Sequence, residues 1–330
     1  MGTVKSNVTR YRRTAYVLAV AALVVSACSS TDEPTVEQSA ESSTTSSIAA
    51  AVEADSTAVD ETFWYAGFKV TLGDADLTPS PNRSPTGQLA IDASFENQGT
   101  SSAGFGSVEV NLSSGDEFYR NDASELPTVP GEATGKGTFA FVVEPSFSFD
   151  DAVLTVGSAE NNQATIPLGD EGELVTNEPV PITSTPSGTA GQFTVQVKGG
   201  ELRFDDPDAH RALEDGKTLI ALDFDLTRTG GQINTNFSGS SNLALQLPDG
   251  TQVTVLRDGK SNPNELVAPD ETLRDLTVRF EGDIPYAGDY ALILKYDGTD
   301  GPAEAEIPFT VTELTPGGTT GTTAVTGTTG

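Results

Sequence analysis

From residue 62 onward, apolar and polar residues alternate with a period of two over stretch after stretch, and helical periodicity is almost absent. Leu89, Ile91, Ala93 and Phe95 alternate with Ala90, Asp92, Ser94 and Glu96, a spacing that turns one face of a strand toward a core and the other toward water. Val108, Val110 and Leu112 repeat the pattern, as do Phe139, Phe141 and Val143, and shorter candidates run over 68–72, 152–156 and 164–168. Ser113-Ser114-Gly115-Asp116 predicts a hairpin turn, and Pro130-Gly131-Glu132 predicts a second reversal. So many short strands within about 110 residues predict an antiparallel β-sandwich.

The second half of the chain repeats the first. Residues 67–72 correspond to 192–197, and 89–95 to 220–226. Residues 108–115 align with 243–250 without a gap, Pro130-Gly131-Glu132 before Phe139 and Phe141 aligns with Pro269-Asp270-Glu271 before Val278 and Phe280, and 165–168 matches 306–309. The offset drifts only from 125 to 141 residues, the behaviour of a duplicated domain that has gained loop insertions. Two tandem sandwiches are therefore expected, over 62–172 and 190–314, joined by a Pro- and Thr-rich linker at 173–189.

The ends of the chain break the pattern. Lys5, Arg10, Arg12 and Arg13 precede an apolar run from Thr14 to Val25, and Ser26 and Ala27 lead into Cys28. This has the order of a secretion signal covering 1–27. A helix of about a dozen residues reaches only about 18 Å, too short for the roughly 30 Å hydrocarbon core of a bilayer. Val25-Ser26-Ala27-Cys28 resembles the bacterial lipobox, which implies cleavage between Ala27 and Cys28 and a covalent lipid on the Cys28 thiol. The alternative is an ordinary cleavable signal beside an incidental cysteine. Cys28 is the sole cysteine, so it cannot pair within the chain. Arg12-Arg13 is followed by Thr14-Ala15-Tyr16, a poor fit to twin-arginine export. Residues 28–61 are rich in Ser, Thr, Ala and Glu and read as a disordered tether, and 315–330 as a Gly/Thr tail.

Charge narrows the function classes. The chain holds 48 acidic against 18 basic residues. Removal of the signal leaves 14 basic residues and a formal charge near −34. A field of that sign disfavours nucleic acid and anionic headgroups.

The opening Phe68-Lys69-Val70 strand, Asp92 to Gly99, the hairpin from Gly115 to Tyr119, Pro130-Gly131-Glu132 and the closing Ile166-Pro167-Leu168 carry a family resemblance. Together they resemble the immunoglobulin-like domain of unknown function found on Gram-positive lipoproteins, similar in turn to a secreted mycobacterial immunogenic antigen. The resemblance covers about 62–170 well and 190–313 more loosely, because Thr227-Arg228-Thr229-Gly230 replaces the Asn-x-Gly turn. It implies a fold and a location, and brings no catalytic residue.

His210 is the only histidine and sits in the acidic stretch Asp205 to Arg211, which reads as a solvated loop; no Gly-x-Ser-x-Gly elbow is present. Paired carboxylates suffice for glycoside hydrolysis, but Trp64 is the only tryptophan available as a sugar platform and reads as packing. Glu201, Asp205, Asp206 and Asp208 crowd one stretch, and Asp297 and Asp300 another, which makes calcium the more reasonable use of the acids; neither has EF-hand spacing. The expectation is a non-enzymatic, lipid-anchored protein on the extracytoplasmic face of the membrane, free of cofactor and nucleic acid, that contacts another envelope protein. The alternative is a small-ligand or calcium-binding surface lipoprotein.

Overall fold

The computed structural model describes residues 52–312 apart from 81–84, 122–124, 171, 259–261 and 299–300. Ala27, Cys28, Asp300 and the tail at 315–330 lie outside the described residues, as does most of the tether. The strands in chain order are β1 (Asp55–Ala58), β2 (Thr62–Tyr65), β3 (Phe68–Pro79), β4 (Gly87–Asn97), β5 (Ala103–Gly104), β6 (Val110–Ser114), β7 (Glu117–Arg120), β8 (Thr128–Val129), β9 (Thr134–Val143), β10 (Ala152–Val156) and β11 (Ala164–Pro167). The second half continues with β12 (Val180–Ile182), β13 (Ser187–Ala190), β14 (Phe193–Arg203), β15 (Asp205–Asp206), β16 (Arg211–Ala212), β17 (Thr218–Arg228), β18 (Thr235–Ser238), β19 (Leu243–Gln246) and β20 (Gln252–Thr254). It closes with β21 (Asn264–Val267), β22 (Thr272–Gly282), β23 (Gly288–Gly298) and β24 (Gly301–Val311). One short helical turn interrupts each half, at Phe105–Ser107 and Gly239–Asn242.

The molecule is all-β and antiparallel, and its two halves share one sheet order. In the first half β1 and β2 pair with β3, followed by β4 and β9, opposite a sheet ordered β11-β10-β6-β7. In the second half β12 and β13 pair with β14, followed by β17 and β22, opposite β24-β23-β19-β20. Each pair of segments aligned from the sequence occupies the corresponding place in this order. The inward residues follow the alternation: Leu89, Ile91 and Phe95 of β4 have no exposed surface, nor have Ile220, Leu222, Phe224 and Leu226 of β17. Each half has its own apolar core, one around Phe68, Phe95, Phe105 and Phe139 and one around Phe193, Phe224, Phe237 and Phe280. Neighbouring rings meet edge to face at 5.4 Å for Phe68 and Phe105 and 5.3 Å for Phe193 and Phe237, a favoured aromatic geometry.

Two boundaries differ from expectation. Within the stretch read as a tether, Val52 is buried against the first core and β1 pairs with β3 from Asp55↔Leu77 to Ala58↔Asp74. Asp-Ser-Thr-Ala carries little apolar signal, since backbone hydrogen bonds to the long strand β3 hold it in place. Within the stretch read as a linker, Thr165 bonds Val175 in both directions, and Val180 and Ile182 of β12 bury on either side of Pro181. The second fold begins about ten residues earlier than its aromatic strands suggest. All described residues belong to one compact unit.

Candidate functional site

The acidic stretch is neither a free loop nor a cluster of unopposed carboxylates. After Arg203 the chain makes a small hairpin in which β15 pairs with β16, turning at residues 207–210. Cross-strand register sets Glu201 of β14 and Arg279 of β22 on either side of Ala221 in β17, and Arg203 and Glu281 on either side of Leu219. Alternation points these side chains away from the second core, because Ile220 and Leu222 point into it. The hairpin supplies the missing charges there.

Arg203, 2% exposed, donates from Nε to Asp205 at 2.8 Å and from Nη1 to Glu201 at 3.0 Å. Arg279, 4% exposed, reaches Asp206 at 2.7 Å and Asp208 at 3.3 Å, and its second nitrogen holds Asp258. Arg211 bridges Asp206 and Glu281. Burial alone would lower the Arg203 guanidinium, but Asp205 and Glu201 outweigh it and hold its pKa above the ordinary value. The hydrogen bond that Arg211 donates to Glu281 likewise holds its guanidinium above the ordinary value. The four carboxylates proposed as weak cation ligands are thus engaged by arginines, and among the described residues no group of three or more His, Cys, Asp or Glu side chains is arranged to hold a metal. Charge pairs this buried are strongly destabilising to break from one side only.

The same hairpin reaches the first half. The Gly67 N–H donates to Asp205 Oδ2 at 2.6 Å, and the Thr100 hydroxyl to Asp208 Oδ1 at 3.2 Å. Ser101 Oγ lies 3.0 Å from His210 Nε2, while His210 Nδ1 is buried with no hydrogen-bond partner among the described residues. A methyl group at Gly67 or Gly99 would stand 2.8 or 2.3 Å from Pro207, so only glycine admits the turn at these two positions. Asn162 completes the seam: its amide donates to the Phe204 and Lys217 carbonyls at 3.1 and 2.7 Å, and its carbonyl oxygen accepts from the Gly216 N–H at 3.0 Å. Ala212 packs against the first core. His210, read as solvated, is partly buried, at φ 49° and 6.2 Å from Phe68. Sequence reading missed Arg203, Arg279, Asn162 and the two glycines. The arginines stand at outward positions of the alternation; Arg203 has its partners two residues away on either side, whereas Arg279 is 73 residues from Asp206.

A second concave feature is a groove of about 640 Å³ at one end of the second half, lined by Phe193, Thr235, Asn236, Lys295, Tyr296 and Asp297 among others. The Tyr296 ring is hemmed in by Gly191 and Gly298 and receives a 2.6 Å hydrogen bond from Gln192, so its face is not free for stacking. Trp64 is half-buried on β2, with Lys69 Nζ 5.6 Å from its ring. Among the described residues no helix is long and apolar enough to cross a membrane. In comparison with known proteins, the chain matches no family model and no curated protein.

Proposed function

We propose that this chain is a lipid-anchored protein of the extracytoplasmic face, acting through two tandem immunoglobulin-like sandwiches as a non-catalytic protein-interaction module. Val25-Ser26-Ala27-Cys28 supports the location, with lipid on Cys28 as the membrane attachment. The hairpin junction carries the functional reading. Of the side chains best suited to chemistry in this stretch, Asp205, Asp208 and His210 bond the first half, and Glu201 and Asp206 are taken up by Arg203 and Arg279 of the second. A chain built this way presents a stiff, acidic surface of two sandwiches at the end of an N-terminal tether.

The test has two arms. Wild type should partition into detergent with membrane lipid, and Cys28→Ala should be released or left uncleaved, since stable anchoring needs more than one acyl chain. Native envelope extracts passed over the chain should yield a reproducible partner. Equal partitioning of processed wild type and variant overturns the anchoring, and absence of any captured protein overturns the module.

A further inference from the structure

The two halves differ at one sheet edge. In the first half β11 is four residues long, and the chain that follows returns to cover it: Thr165 and Val175 exchange both backbone hydrogen bonds, at 2.9 and 2.8 Å. In the second half the corresponding strand, β24, is eleven residues long and pairs with β23 along its whole length. On its other side no backbone group of β24 has a partner among the described residues.

Proline fixes which groups face outward. It lacks an N–H and is tolerated in a sheet where its nitrogen points away from the neighbouring strand. Pro302 and Pro308 therefore put the even-numbered residues on the outer edge, the same parity as Thr165 and Pro167 in β11. The outward donors are then Glu304, Glu306 and Thr310, and carbonyls face outward at all five even positions. The side chains of Glu304, Glu306 and Thr310 are exposed on the outer face of the sheet.

We propose that this edge is a docking strand for an extended basic segment of a partner protein, added to the sheet beside β24. The inference rests on the interaction-module reading and names the surface and the partner's chemistry. Charge selects the occupant. A second copy pairing edge to edge would set glutamates against glutamates on a chain of formal charge −30, and like charges across a ladder oppose pairing. Lysines or arginines at alternate positions of an incoming strand fall on the same face as Glu304 and Glu306, and the field of the whole chain steers them there. Backbone hydrogen bonds supply affinity in such additions and the alternate side chains supply specificity.

The probe is a labelled peptide of about twelve residues alternating lysine with valine, a length that spans the exposed edge. Its control has the same charge with the lysine amides N-methylated. Binding to the full chain in detergent should slow hydrogen exchange at the Glu304, Glu306 and Thr310 amides and fall about tenfold or more for the control. Thr310→Pro, which removes one outward donor and leaves the β23 ladder intact, should weaken binding without shifting the melting temperature, and Glu304→Gln with Glu306→Gln should weaken it further. Equal affinity for both peptides, or protection at amides elsewhere, overturns the proposal. Envelope extracts separate it from the reading beneath it. Capture of the same proteins by wild type and Thr310→Pro overturns the edge and leaves the module; binding of the peptide with no envelope protein captured does the reverse.

Discussion

Corresponding corners of the two halves share a backbone and have been put to different uses. In the first, Asn97 is buried at the end of β4, where its amide donates to the carbonyls of Val129 and Ser101 at 3.0 and 2.8 Å. In the second, Arg228 is buried at the end of β17 and donates from Nη1 to the carbonyl of Val267 at 2.8 Å. Val129 and Val267 occupy matching ribbons, β8 and β21. The backbone bonds repeat as well: Gln98 N–H to the Gly67 carbonyl becomes Thr229 N–H to the Gln192 carbonyl, 2.8 and 2.9 Å. The departure from an Asn-x-Gly turn that loosened the resemblance of the second half is a change of side chain around an unchanged scaffold.

The neighbours then diverge. Gly67 and Gly99 leave the first corner open, and the hairpin of the second half fills it with Pro207 and His210. At the second corner the Gln192 side chain holds Arg228 at 2.8 Å and Tyr296 at 2.6 Å, so the corner fills itself. One fold thus makes a socket where the side chains are small and a plug where they are large. Close packing allows few other outcomes.

The sharpest way to break this comparison is Arg279→Met. It removes the cation shared by Asp206, Asp208 and Asp258 and leaves the buried Asp206 carboxylate with only the longer contact to Arg211 and the Ala209 N–H. A loss of about 3–5 kcal/mol is expected from denaturant melts, because an uncompensated buried charge costs far more than a pair contributes. The hairpin should also lose its hold on the first half, visible as faster hydrogen exchange at the Gly67 amide.

Next in size are Asn97→Ala and Arg228→Ala. Each leaves a valine carbonyl buried without its donor, and each should cost about 2–3 kcal/mol. If the two side chains do the same work, the two losses agree within about 1 kcal/mol and add in the double variant, since the sites share no partner. A loss in one half only would show that the equivalence is one of shape and not of energy.

Gly99→Ala tests the socket itself. The added methyl would meet the Pro207 carbonyl oxygen at 2.3 Å, so the hairpin must shift. About 1–2 kcal/mol is expected, together with separation of one unfolding transition into two as the halves uncouple. Gly230→Ala, at the matching place in the second half, has open space around it but φ +76°, so it should show only the backbone cost and one unsplit transition.

Alternation made the sheets legible: β4, β9, β10, β14 and β17 fall where the period-two runs put them, and the inward residues are the apolar ones. It could not show β1 or β12, which owe their place to a long neighbour's backbone more than to their own side chains. The acidic stretch was visible as composition, yet its meaning was not. Arg203 is a near neighbour in sequence, but Arg279 is 73 residues from Asp206 and meets it only because β14, β17 and β22 lie side by side. Two of the contacts that fasten it to the first half depend on glycines, which have no side chain to advertise them.

The smallest effect is also the most specific to one half. Continuing the register of Leu245 with Leu292 places Tyr290 opposite Leu247, where the first half sets Leu154 opposite Leu112. The Tyr290 hydroxyl donates to the Pro285 carbonyl, and burial pushes its pKa up to about 12 from an ordinary 10.0. Because the folded state resists ionisation, this group's contribution is complete below about pH 10 and is lost as pH rises toward 12. Tyr65 and Tyr119, also raised by burial, add to the alkaline loss in wild type and variant alike. Tyr290→Phe should cost about 1 kcal/mol at pH 8 for the undonated Pro285 carbonyl. The gap to wild type should then close, and reverse, between pH 10 and 12. Urea melts across that range decide it: a gap that stays constant would mean the phenol is hydrated in the folded state, so that the second core is wetter at this position than the first is at Leu154.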